Sequence, residues 1–341
     1  MTNTRDTPLT GKTIITGGAG FIGSHLAARL KAQGLDLTLI DNLSTGSRDN
    51  IADLLDNRCR FIHADASEAV ADPDLWDGVG QVYHLAAAVG VQRVIDDPAA
   101  MVHNNVEQTS AVLEAARRAD ASVLIASSSE VYGKCPVLPL REDMELVYGP
   151  TTASRWAYGL TKAIDEHLAI DMHRRHGLRV VITRLFNTIG PRQVGHYGMV
   201  VPRFVERAVA GQTIDVYGDG TQTRAFSDVR DITRAMTELM ANDDCFGQVF
   251  NLGSDQRITI NQLADRIIKL AGTAATKKLI SYEKAFGPDF EDPAHRLPDT
   301  TRISQAIGFQ PEISLDQTLT ELIQLQRDKT ASVGASAGEG G

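Results

Sequence analysis

Residues 12–26 read KTIITGGAGFIGSHL, and few backbone arrangements satisfy that string. A short apolar run feeds Gly17, Gly20 and Gly23, spaced G-x-x-G-x-x-G, and a helical pattern begins at once. Strand, tight turn and helix in that order leave the first helical N–H groups and the positive end of the helix dipole open above the strand, a seat for a pyrophosphate. Eighteen residues beyond Gly23 a second apolar run ends in Asp41. A carboxylate there accepts hydrogen bonds from the ribose hydroxyls and repels a 2′-phosphate, so NAD is expected rather than NADP. Arg48 is the nearby charge that argues the other way. Asp65, just past a third run, is placed to meet the adenine amino group or to cap the next helix.

The same rhythm continues through the first half of the chain. Apolar runs at 13–16, 37–40, 60–63, 81–85, 122–126 and 180–183 alternate with helical patterns from Gly20, over Pro98–Arg118 and over 158–175. Strand and helix in alternation predict an α/β fold, a Rossmann-type doubly wound parallel sheet covered on both faces. Ligand sites then fall at the carboxyl ends of the strands, near the switch in strand order. After Phe186 the rhythm breaks into loops (Gly190-Pro191, Gly195, Gly198, Pro202, Gly218-Asp219-Gly220) between short elements, which suits a smaller C-terminal α/β substrate domain. We assign residues 10–186 to the dinucleotide-binding domain and 187–328 to the substrate domain, with some chain crossing back to the sheet. Residues 1–9 and 329–341 are expected to be flexible tails.

With 341 residues, 43% hydrophobic and 23% charged, the chain can bury a large core, and its composition excludes disordered, collagen-like and coiled-coil classes. Lys and Arg number 34 against 43 Asp and Glu, a net charge of −9 with no long basic run, so nucleic acid is not an expected partner. Phosphate contacts must therefore be local. Cys59, Cys135 and Cys245 are widely spaced and show no CxxC pairing, which argues against a disulfide framework or a zinc site and for small buried side chains in a reducing compartment. The polar N-terminus predicts neither a signal peptide nor a membrane span, hence a cytoplasmic protein. No metal is expected, and His25 and His84 read as packing or loop histidines without metal-ligand spacing.

Tyr158 and Lys162 stand four residues apart at the start of a helical stretch, on one face within a turn. An ammonium beside a phenol, with a cationic nicotinamide near, is expected to lower the phenol pKa and make Tyr158 a general base for a sugar hydroxyl.

At these residues the chain resembles the extended short-chain dehydrogenase/reductases, specifically the NAD-dependent nucleotide-sugar epimerase, dehydratase and decarboxylase family. The likeness runs from about residue 12 to 326 through TGGAGFIGSHL, DNLSTG, HLAA (84–87), SSSEVYG (127–133), YGLTK, RLFNTIGPR (184–192), VYGDGTQTRAF (216–226) and HRLPD (295–299). It implies a bound, recycled NAD that takes hydride from sugar C4, held by Gly17, Gly20, Phe21, Ile22, Gly23, Asp41, Asn42, Asp65, Leu85, Ala86 and Lys162. It implies a UDP-sugar in the C-terminal cleft, with Ser129 bonding the C4 oxygen beside Tyr158 and Glu130 near C5. Asn187 and Arg224 would contact the diphosphate, Tyr217 the base, and Arg296 the phosphates or the reacting ring. Arg203, Arg207 and Arg230 are weaker candidates, read as surface charges. Relatives pair as homodimers through two helices, whose counterparts here are Pro98–Arg118 and 158–175. The apolar positions Val102, Val106, Val112, Leu113, Ile164 and Leu168 serve such a dimer or the internal core equally well.

Oxidation at C4 opens three outcomes. A 4,6-dehydratase needs an acid for the departing 6-hydroxyl, and the Ser129-Glu130 pair replaces the Asp-Glu pair of such enzymes. Decarboxylation of a uronate needs only the C4 ketone as electron sink and a proton at C5. Ser-Glu before Val-Tyr-Gly, Arg155 three residues before the tyrosine, and FEDPAHRLPD (290–299) resemble the decarboxylases of UDP-glucuronate. DNLSTG and HLAAAVGV resemble 4-epimerases. Decarboxylation of UDP-glucuronate to UDP-xylose or a UDP-4-keto-pentose is the first expectation, 4-epimerisation of a UDP-hexose or UDP-uronate the alternative, and dehydration third. A catalytically silent binder of NAD or a nucleotide sugar is disfavoured, because it has no need of Tyr158, Lys162 and Ser129 together.

Overall fold

The computed structural model describes residues 11–87, 97–195, 199–286 and 295–338. Residues 1–10, part of HLAAAVGV, the start of FEDPAHRLPD and the last three residues lie outside them. Seven strands form one parallel sheet: β1 (Lys12–Thr16), β2 (Leu37–Asp41), β3 (Cys59–His63), β4 (Val79–His84), β5 (Ser122–Ser128), β6 (Val180–Leu185) and, from much later in the chain, Gln248–Leu252. Across the sheet, that last strand lies beside β6, and the order continues β5-β4-β1-β2-β3, so strand order switches between β1 and β4. The carboxyl ends of these two strands meet in register at Thr16 and His84.

The sheet is buried on both sides because consecutive side chains alternate between two cores. Ile15, Leu39, Tyr83, Leu124 and Val181 join one core with the helices Phe21–Ala32 and Val229–Met240. Ile14, Ile40, Val82, Val123 and Ile182 join the other with Val112, Leu113 and Ala169 from the helices Pro98–Arg118 and Ala157–His176.

Past β6 the chain forms short pairs: β7 (Thr188–Ile189) with β10 (Ser227–Asp228), β8 (Ile214–Tyr217) with β13 (Lys277–Ile280), and β9 (Thr223–Ala225) with β12 (Arg257–Thr259). The strand Gln248–Leu252, β11 in this order, is the one that returns to the large sheet. A third core gathers Phe204, Ile214, Val216, Leu263, Ile267, Leu319 and Ile323. The isolated bridge between Thr223 and His295 and the amide of Arg296, which donates to Thr223 O at 3.3 Å, tie the late chain to β9.

One expectation is corrected. The C-terminal segment is helical to Gly338 as part of Leu315–Gly338, and not an unstructured tail from 329. Burial of Leu319 and Ile323 nucleates that helix, and a stretch without proline propagates it.

Candidate active site

The glycine turn is held by contacts no side chain could share. Gly17 adopts φ +70°, and a Cβ there would stand 2.9 Å from the Ala86 amide nitrogen. At Gly23 a Cβ would overlap the carbonyl oxygen of Gly17, so glycine is what lets the helix Phe21–Ala32 close onto β1. That helix begins at Gly20 with no side-chain cap and no acidic residue in its first turn, leaving its terminal N–H groups and dipole for an anion. Phe21 and Ile22 start the helix, and Leu85 and Ala86 come after β4 on the other side of the turn. The residues fit a dinucleotide.

Asp41 closes β2 as the sequence predicts, nearly buried, accepting from the amides of Ala19 at 3.0 Å and Leu43 at 2.8 Å. Burial pushes its carboxyl up and the surrounding amides hold that rise back. Arg48 lies over the Phe61 ring at 5.7 Å. Asp65 occupies the N-cap position of the helix Ala66–Ala69 without bonding it, and instead accepts from Asn42 Nδ2 at 2.7 Å.

Tyr158 begins the helix Ala157–His176, which packs closely on the segment after β5. Gly159 permits that approach: a Cβ there would fall within 2.4 Å of the Glu130 carbonyl oxygen. Tyr148 braces the junction, donating to the carbonyls of Val131 at 2.7 Å and Gly159 at 3.2 Å. The hydroxyl bonded to the Tyr158 side chain is that of Ser128, not Ser129. Ser128 is the last residue of β5, at the sheet's carboxyl edge, whereas Ser129 turns inward and is buried in the short 3-10 helix that comes next. A second correction concerns the phenol. Burial, then the charges of Glu130 and Asp165, push it above the ordinary tyrosine range, and the Ser128 bond only partly offsets them. The chain's own groups therefore do not lower it as the Tyr158–Lys162 spacing predicts. Lys162 is buried and gives its charge to Asp165, with Nζ to Oδ2 at 3.2 Å.

Glu130 holds two guanidiniums from distant parts of the chain together. Its carboxylate accepts from Arg155 at 2.6 and 3.1 Å and from Arg296 at 2.5 Å. Burial alone would raise this carboxyl, but the two guanidiniums outweigh it and hold it down at about 2. Among the described residues, Arg155 and Arg296 thus converge on this one carboxylate.

The remaining predicted groups line the later chain. Asn187 lies just past β6 and donates to Ala225 O at 2.9 Å, and Arg224 is buried on β9 with Nη1 on Thr223 O at 2.9 Å. Tyr217 ends β8. Arg203 is not a surface charge: its guanidinium lies 4.3 Å from the Tyr217 ring centre, and burial pulls its pKa down. Arg207 and Arg230 bind Asp215 and the Asp228–Glu321 pair. Cys59 and Cys245 are buried and Cys135 is half-buried, all with free thiols. Among the described residues no cluster of His, Cys, Asp or Glu could hold a metal, and no helix is long and apolar enough to cross a membrane.

Sequence reasoning missed Asp165 and the bonds of His84. Asp165 stands three residues after Lys162, on its helical face, and that spacing was a readable signal. His84 bonds Thr16 at 2.8 Å and Thr109 at 3.2 Å across two strands and a helix, which no local pattern discloses.

Comparison with known proteins agrees with this geometry. The profile of the NAD dependent epimerase/dehydratase family matches residues 13–253. A UDP-N-acetyl-alpha-D-glucosaminuronate decarboxylase of Bacillus cytotoxicus is 35% identical over 92% of this chain and 97% of its own length. UDP-glucuronic acid decarboxylase 1 of Arabidopsis thaliana is 35% identical over 93% of this chain and 70% of its own. The structure of a UDP-glucuronic acid 4-epimerase from Bacillus cereus, in complex with UDP-glucuronic acid and NAD, superposes with a TM-score of 0.82 at 28% identity, covering 93% of this chain and 99% of that one. With its open glycine turn, Asp41 at the end of β2 and these relatives, the chain belongs to the NAD dependent epimerase/dehydratase family of extended short-chain dehydrogenase/reductases.

Proposed function

We propose that the protein decarboxylates UDP-glucuronate through a 4-keto intermediate. The observation that carries this reading is the bridged Glu130. Arg155 and Arg296 converge on this one carboxylate, and a pair of guanidiniums gathered there offers bidentate donors that suit a sugar C6 carboxylate better than a C6 hydroxymethyl. A substrate carboxylate drawn to Arg155 and Arg296 also stands beside the ionised Glu130. That repulsion disappears when the carboxylate departs as neutral CO₂, so the arrangement favours the loss of C6.

In this reading NAD, when bound on the glycine turn with its ribose on Asp41, supplies the hydride acceptor for C4. Ser128 orients the C4 hydroxyl toward Tyr158, which takes its proton. Lys162 stands behind the phenol on the same helical face. Breaking the C5–C6 bond moves its electron pair into the C4 carbonyl, and a proton then closes the enolate at C5. Arg224 and Asn187 hold the diphosphate, and Tyr217, backed by Arg203, flanks the base. Residues 187–328 serve as the substrate domain.

A second reading has one observation in its favour: the likeness to a 4-epimerase bound to the same uronate. Supplying UDP-glucuronate, UDP-N-acetylglucosaminuronate and UDP-glucose separately tests the charge argument. Turnover of the uronates without UDP-glucose supports it, and preferential turnover of UDP-glucose contradicts it.

The protein is further proposed to act as a cytoplasmic homodimer. Its free thiols suit a reducing compartment. Val112 and Leu113 are internal core, but Ile164 is 42% exposed on the helix beside the half-buried Val102, Val106 and Leu168, an apolar face suited to a second copy.

A further inference from the structure

Asp165 is 0% exposed and its neighbour Lys162 is 2% exposed, an ion pair sealed inside the protein seven and four residues on from Tyr158 along the same helix, with the Asp165 charge felt at the phenol. Its other oxygen, Oδ1, is buried and has no hydrogen-bond partner among the described residues. The Thr109 hydroxyl, from the helix Pro98–Arg118, faces the same carboxyl. Beyond Thr109 the contacts run on to His84 Nε2 at 3.2 Å, from His84 Nδ1 to Thr16 at 2.8 Å, and from Thr16 Oγ1 to the Ala86 amide at 3.2 Å.

The Ala86 N–H donates to Thr16, which pairs with His84 Nδ1, and His84 Nε2 pairs with Thr109. His84 is neutral, pushed down to about 3 by burial and then by the Lys162 charge. Polar contacts thus run from the strand ends that flank the glycine turn to Thr109, whose hydroxyl faces the carboxyl that holds Lys162.

We propose that Asp165 is a positioning residue for the hydride-transfer step, anchoring the Lys162 ammonium by their direct ion pair and cancelling its charge at the Tyr158 phenol. This rests on the reading of Tyr158 as the base and Lys162 as its partner, and is independent of the later chemistry at C5 and C6. A lone ammonium at this depth would repel any cationic ring bound nearby. The pair removes that repulsion and leaves a less acidic phenol. The charged and titratable groups around Tyr158 and Asp165 are Glu130 from the segment after β5, Lys162 and Glu166 from their own helix, and His84 from β4. Glu166 is taken up by Arg184 at 2.7 and 2.9 Å and by Ser127 at 2.5 Å, so it is not a competing partner for Lys162.

The test is ultraviolet difference titration of the Tyr158 phenol in the NAD-bound protein, with Tyr158→Phe subtracted as background. No substrate is needed, so it reads Asp165 even if the uronate assignment fails. Asp165→Asn is expected to bring phenol ionisation down by at least about one pH unit, and Asp165→Glu, which restores the carboxylate, to return it most of the way. In single turnovers with whichever UDP-sugar the wild type oxidises, the limb of the NADH-formation rate that rises with pH is expected to move to lower pH by the same amount. If Asp165→Asn does not fold, Thr109→Val, which keeps the β-branched shape and strips the hydroxyl, is expected to shift ionisation in the same direction by less. A titration unchanged in the folded variants, even with lowered melting temperature, overturns the proposal and leaves Asp165 a structural residue.

Discussion

The Glu130 carboxylate and the Arg296 guanidinium stand 166 residues apart in the chain and meet at 2.5 Å, with Arg155 closing the other side of the same carboxylate at 2.6 Å. Among the described residues, two guanidiniums and one carboxylate thereby meet where the sugar ring is proposed to sit. Replacing Glu130 by Gln keeps the shape and removes the anion. The uronate should then bind more tightly, with KM falling, while kcat drops about ten-fold or more because the repulsion relieved by CO₂ loss is gone. Steady-state kinetics with UDP-glucuronate decide this; a fall in kcat with a raised KM would instead mark Glu130 as a binding contact.

Tyr158→Phe removes the base and should lower kcat by roughly 10²–10⁴-fold while the protein retains its NAD. Ser128→Ala should cost more activity than Ser129→Ala, because the Ser128 hydroxyl is the one bonded to the phenol. Turnover numbers of the three variants, read beside bound-NAD content, separate the roles. Greater loss in Ser129→Ala would reverse the assignment.

Asp41 is expected to set cofactor choice. Asp41→Ala should reduce NAD occupancy of the purified protein and narrow its discrimination against NADP. It should also cost about 1–3 kcal/mol of stability, because the amides of Ala19 and Leu43 lose their acceptor. Isothermal titration with each dinucleotide and urea denaturation give both numbers.

Acid should destabilise the protein in two stages. His84 titrates near 3 in the folded state against 6.5 when exposed, so below pH 6.5 the unfolded chain takes up a proton the folded one refuses. Stability contributed by keeping His84 neutral is complete above pH 6.5 and declines at up to about 1.4 kcal/mol per pH unit as pH falls toward 3. Glu130, held at about 2 against 4.5, adds stability above pH 4.5 that is lost as pH falls through 2. Urea midpoints across pH 7 to 5 should decline less for His84→Gln than for wild type. Glu130→Gln should track wild type in that window and flatten only below about pH 4.5.

Ile164→Arg places a charge on the exposed apolar face of the Tyr158 helix. Sedimentation should show a dimer for the wild type and a monomer for the variant, with its secondary structure intact.

The parts of this molecule legible in its sequence are those written in short range. The glycine turn, Asp41 and the run Pro98–Arg118 are local patterns, because a strand passing into a helix under close backbone approach leaves little choice of residue. The Glu130 bridge was half legible: each of its members stood out, but nothing local reports that residues 130 and 296 touch. Ser128 was passed over for Ser129 because three serines in a row carry no phase, and only the end of β5 fixes which hydroxyl faces the phenol. Asp165 is legible only as a helix neighbour of Lys162, and its burial comes from packing that no local pattern reports. The C-terminal helix outran its apolar signal because helix propagation needs no core once nucleated.

The most direct measurement tracks the C6 carbon. Given UDP-glucuronate labelled at C6, the protein should release labelled CO₂ and leave a UDP-pentose or UDP-4-keto-pentose, with NADH absorbance rising transiently before the gas appears. Retention of all label in the nucleotide sugar, with UDP-galacturonate accumulating, would contradict decarboxylation and establish the 4-epimerase.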